Sequence, residues 1–92
     1  MASSKEAFEK FVRWKNSRTV LKFTFVTKGG MPETLVGQIM GTEEDSFLVF
    51  FGVRETRELR LIDFGDATFR IGKLLLEAER STGDWLTFEE MG

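Results

Sequence analysis

The sequence predicts a mostly β fold with one N-terminal α-helix: a five-stranded, bent antiparallel barrel followed by a short C-terminal extension. Three observations carry this. Short apolar segments between Thr19 and Ile71 are separated by turn residues. One amphipathic segment precedes them. Gly37 stands between Leu35 and Ile39 on one strand face, where a missing side chain lets the strand bend and another backbone approach. Small sheets curl into barrels by this device. A chain of 92 residues is expected to form one domain, with the helix over 4–16, the barrel over 19–71 and the extension over 73–90.

The helix is read from its cap and its stripe. Ser3 and Glu6 fit the S-x-x-E capping box, which satisfies two orphan backbone donors. Ala7, Phe8, Phe11, Val12 and Trp14 fall at helical spacing. Glu6 with Lys10 and Glu9 with Arg13 are i,i+4 pairs in the favourable order. The stripe is expected to lie across an open end of the barrel.

The strands follow in order. Leu21, Phe23 and Phe25 alternate with Lys22 and Thr24 between Thr19 and Thr27. Lys28-Gly29-Gly30 is the turn, since Gly adopts positive φ at no steric cost. The second strand runs from Glu33 to Met40, and Gly41 to Ser46 makes an acidic turn. Phe47 to Phe51 is continuously apolar, as in a strand covered on both faces. One face would meet the barrel interior and the other the helix or a neighbouring subunit. Glu58 to Asp63 is the fourth strand, with Leu59 and Leu61 opposed by Arg60 and Ile62. Phe64-Gly65-Asp66 is a turn, and Ala67 to Ile71 is the fifth strand. Lys73 to Arg80 fits a short helix by propensity. It also fits one arm of a hairpin returning at Trp85 to Glu89, and the hairpin is preferred. Leu21, Phe23, Phe25, Ile39, Val49, Leu61 and Phe69 are the expected core, capped by Phe8 and Phe11.

Composition narrows the chemistry. Ten Phe and two Trp stand against no Tyr, so the rings serve packing more than polar recognition. Cys and His are absent, which removes disulfides, thiolate nucleophiles, the commonest general base and the commonest zinc ligand. No spaced acidic ligands resemble a calcium loop. No cofactor is expected. Adjacent Glu43, Glu44 and Asp45 read as a solvated turn, and Asp63 with Asp66 flank another. Glu77 and Glu79 share one strand face. None of these makes two carboxylates across a cleft with separated pKa values. Ser17, Ser46 and Ser81 have no His to activate them. The expectation is a protein without enzymatic activity. There is neither a leader-like apolar run nor a stretch of about 18 apolar residues, so the expected setting is cytoplasmic and off the membrane.

The net charge of −2 is divided unevenly. Residues 1–28 hold seven cations and two anions, and residues 29–92 hold six and thirteen. Such asymmetry marks an ordinary solvated face, a basic binding face, or ends that attract one another.

A helix followed by five short bent strands is also the order of the Sm-like proteins, which the chain resembles over about residues 4–72. Gly37-Gln38-Ile39 matches their second-strand G-x-I. Glu43 to Asp45 supplies an acidic residue near the next turn, and Phe47 to Phe51 the apolar third strand. Phe64-Gly65-Asp66 falls at their short turn before the fifth strand. SH3-like barrels share the glycine bend and the strand lengths. The resemblance implies a homo-oligomeric ring, in which the fourth strand of one subunit pairs with the fifth of the next. Leu59, Leu61, Phe69 and Ile71 are then the interface candidates. The family's uridine-binding residues depart: Asp45-Ser46-Phe47 replaces the Asn site, and Asp66 stands where an Arg-Gly is usual. The bacterial branch's Lys-His pair has no counterpart.

The leading expectation is a binding or scaffold module built as a homo-oligomeric ring. One alternative is an RNA-binding protein using a basic helix face of Lys10, Arg13, Lys15 and Arg18. Another is a monomeric accessory domain that docks a different protein.

Overall fold

The computed structural model describes residues 3–91. Helix α1 (Ser4–Ser17) starts at the expected cap. Ser3 Oγ accepts from the Glu6 backbone N–H at 3.2 Å, and the Glu6 carboxylate accepts from the Ser3 N–H in return. Ala7, Phe8, Phe11 and Trp14 are buried, whereas Val12 faces solvent. Seven strands follow: β1 (Leu21–Val26), β2 (Glu33–Glu43), β3 (Leu48–Val53), β4 (Leu59–Asp63), β5 (Thr68–Ile71), β6 (Leu75–Glu79) and β7 (Trp85–Glu90). All pair antiparallel in one sheet of order β4-β3-β2-β1-β7-β6-β5.

The fold is mostly β with one N-terminal helix, as expected, but the sheet has seven strands and is not closed. The C-terminal segment is a hairpin, β6–β7, and it is no appendage. β7 pairs with β1 along its whole length, and β6 carries β5. The hairpin is therefore inserted between the first and fifth strands. The reason is apolar alternation: Leu76, Ala78, Leu86 and Phe88 are buried and complete the core that β1 begins. A helix over 73–80 could not place these residues on the sheet's inner face.

Gly37 sits where β2 meets β3 most closely. A Cβ built there would overlap the Gly52 carbonyl and stand 3.0 Å from Phe51 Cζ. β2 also runs longer than expected, to Glu43, because a bulge at Met40 resets its register against β3. The turn starts later, and Phe47 takes a positive φ of 55° before β3 begins.

The fourth strand is inverted relative to expectation. Ile62 is buried, while Leu59 and Leu61 are 57% and 59% exposed. The cause is register. Ile62 stands opposite Val49, and Arg60 opposite Phe51. Directly opposed residues share a face, and Val49 and Phe51 both point inward. A one-residue difference exchanges the whole inward set. Phe25, expected in the core, is half-buried at its margin.

Aromatic packing joins the helix to the sheet. Phe8 meets Phe47 and Phe64 edge-on, and Phe11 stacks on Phe64 at 5.3 Å. Phe88 stacks on Phe23 at 4.7 Å.

Gly37→Val is expected to lower stability by at least about 1–3 kcal/mol, because the new side chain meets backbone rather than a movable side chain. A thermal melt reads this as a fall of roughly 4–8 °C per kcal/mol for a domain of this size. An unchanged midpoint would refute the close approach.

Candidate interaction surfaces

The sheet leaves two edges unpaired, β4 and β5. An open edge presents unsatisfied backbone N–H and C=O groups and is a template for another strand. Neither edge strand holds a proline. The four interface candidates sit differently along these edges. Leu59 and Leu61 are exposed on the outer face of β4. Phe69 is 1% exposed, so its side chain belongs to the core, and Ile71 is half-buried. β5 offers its backbone, with Thr68 and Arg70 outward.

The two halves of the sheet differ in their outer faces. Across β5, β6, β7 and β1 that face reads Arg70, Glu77, Thr87 and Thr24 in one cross-strand row. Across β4, β3 and β2 the corresponding row is Leu61, Phe50 and Gly41. Met40, in the bulge beside this row, is 60% exposed, and Leu48 and Phe50 are half-buried. This is a contiguous apolar patch beside an open edge, the kind of surface that marks an interaction site. The unbroken apolar run from Phe47 to Phe51 signalled a strand apolar on both faces. Met40 carried no sequence signal, because the bulge that turns it outward depends on pairing with β3.

Two hollows adjoin β4. A groove of about 580 Å³ is lined by Val20, Met40, Val53 and Leu59, with Arg54 and Arg57 also at its wall. Gly37 and Gly52 also line it, and the Met40 side chain lies over Gly52. A second hollow of about 310 Å³ lies between β4 and the β1–β7 pair, lined by Phe23, Phe25, Ile62 and Leu86 with Arg60 and Arg80. It shows that the sheet curls until β4 faces the strands in the middle.

The helix cations divide into two kinds. Lys10 is only 8% exposed. Its Nζ donates to the Lys73 carbonyl at 3.1 Å and stands 4.8 Å from the centre of the Trp14 ring. Its ammonium ties the helix to the β5–β6 connection. Glu6, the residue expected to pair with it, closes the capping box instead. Arg13, Lys15 and Arg18 are exposed, and no ion pair engages them among the described residues. Arg18 ends the helix in the left-handed region.

The acidic groups are dispersed. Asp63 accepts from the Gly65 N–H at 2.8 Å, Asp66 bonds Ser81, and Ser46 donates to Glu43 at 3.2 Å. Arg60 pairs with Glu33 at 3.2 Å and Glu58 at 3.1 Å rather than with Asp63. Among the described residues no three acidic side chains gather as a metal-ligand set. No described helix is long and apolar enough to cross a membrane.

Comparison with known proteins finds no matching family model, no matching curated protein and no matching solved structure. What fold and surface define is a class: a small, curled antiparallel β domain with two open edges and one apolar outer face.

Lys10→Met is expected to cost about 1–3 kcal/mol, since it leaves the Lys73 carbonyl unpaired and removes the cation from Trp14. Lys15→Ala, at an exposed position, should stay within about 0.5 kcal/mol. Urea unfolding of the two variants checks the contrast; equal effects would mean that Lys10 is an ordinary surface residue.

Proposed function

We propose that this protein is a non-enzymatic binding or scaffold module that assembles into a homo-oligomeric ring, with β4 of one copy adding to β5 of the next. The observation that carries this is the pair of open edges at opposite ends of one sheet, one of them flanked by exposed Leu59 and Leu61. Head-to-tail pairing of two different edges is a heterologous contact, which closes into a ring when the rotation permits. It would satisfy backbone groups that open edges leave to solvent. The Sm-like resemblance supports the same arrangement, because the glycine bend, the acidic turn and the apolar third strand are all in place. The inserted β6–β7 hairpin is a departure: it, rather than the fifth strand, flanks β1.

The second reading is RNA binding at the helix end. It is favoured by Arg13, Lys15 and Arg18 lying exposed without ion-pair partners among the described residues. Repeated around a ring, these charges would sum to a positive face. Lys10 contributes little, since its ammonium is buried against Trp14.

Light scattering should give the mass of several subunits. Hydrogen exchange should show the amides of 59–63 and 68–71 becoming protected as concentration rises. A multimer with unprotected edges would argue against the edge-to-edge ring. Labelled oligo-U and oligo-A test the second reading. Contact through the helix predicts weak base preference, steep weakening with salt and loss of binding in Arg13→Glu/Arg18→Glu. Uridine-selective binding that survives both reversals would place the RNA elsewhere.

A further inference from the structure

The outer face of β2, β3 and β4 carries a charge pattern that complements itself. At one end, Glu43 closing β2 and Glu44 and Asp45 in the turn that follows are all exposed, with no cation among residues 42–47. At the other end, the β3–β4 loop brings Arg54 and Arg57 to the groove. Neither arginine has a carboxylate within ion-pair distance among the described residues. Of the two acids in that loop, Glu58 is held by Arg60, and Glu55 does not line the groove. Between the ends lies the apolar patch of Met40, Phe50, Leu59 and Leu61. The two ends are separated by the length of β3, about 17 Å at strand rise.

We propose that this face packs against the same face of a second copy about a two-fold axis, so that Arg54 and Arg57 of each copy meet the acidic turn of the other. It rests on the reading that copies of this chain associate, but it uses a face rather than the edges. The charge order selects the occupant. A two-fold axis lying in the contact plane and perpendicular to β3 brings each end of the face against the opposite end of its partner, whereas one parallel to β3 would set acid against acid; both are isologous contacts, and the charges select the first. Unlike charges then meet at both ends, while the apolar centres cover one another. A purely acidic foreign partner would suit the arginines but be repelled at Glu43 to Asp45. Met40 suits the centre, since its unbranched thioether side chain adapts to irregular surfaces and here lies over the bare Gly52 backbone. The charge contribution is exposed, so it weakens with salt.

The experiment is a charge exchange read by sedimentation mass. Arg54→Glu/Arg57→Glu places acids at both ends of the face. Glu43→Lys/Glu44→Lys/Asp45→Lys places cations at both ends. Each variant alone should lose the face contact, halving the wild-type mass at low salt. Mixed in equal amounts they should regain it, because both ends of the mixed pair are again complementary. Met40→Lys, a cation at the apolar centre, should lose the contact and not be rescued by either. Circular dichroism of each variant verifies folding. Wild-type mass in both charge variants overturns the proposal, as does a mixture of folded variants that stays as small as its parts. A monomeric wild type at low salt also overturns it. A wild type of dimer mass with unprotected edge amides sinks the ring and keeps this contact. Halved mass with edges still protected supports both.

Discussion

Phe88 is the ring that the other layers meet. It is fully buried, and five aromatic side chains surround it. Phe11 and Trp14 reach it from the helix, Phe23 from β1, Phe51 from β3 and Phe64 from the β4–β5 turn. A domain of this size has little core to spare, and aromatic rings supply the most buried area per residue. Placing Phe88 there requires β7 beside β1, which draws the whole C-terminal hairpin into the sheet. The open edges follow from the same arrangement, because β5 now hangs on β6 and β4 on β3.

The close contact of β2 and β3 sets the second feature. Gly37 admits the Gly52 carbonyl at a point where any side chain would collide with backbone. The bulge at Met40 then sets one flexible apolar side chain against the bare Gly52 backbone. Polar and opposite-charge pairs stand on the other half of the sheet, including Lys22 opposite Glu89 and Arg70 opposite Glu77, beside exposed Trp85. The β2–β4 half is both apolar and open at its edge.

Sequence alone determined the helix, its cap, the number and order of the strands through β5, and Gly37 as the tight point. These are local: a capping box, a period-two alternation or a missing Cβ speaks within a few residues. It also ranked the C-terminal hairpin above a helix, because Lys73 to Arg80 reads as a strand and Trp85 to Glu89 can pair back on it. The missing His and Cys narrowed the chemistry without any fold. Tertiary structure alone decided three things. It inserted β6–β7 between β1 and β5, since pairing partners are chosen by the core they share and not by chain order. It turned Leu59 and Leu61 outward, since β4 alternates on both faces and only its register with Val49 and Phe51 says which face is inner. It withdrew Lys10 to Trp14 and the Lys73 carbonyl, since a long stem buries its methylenes wherever an acceptor waits at the end.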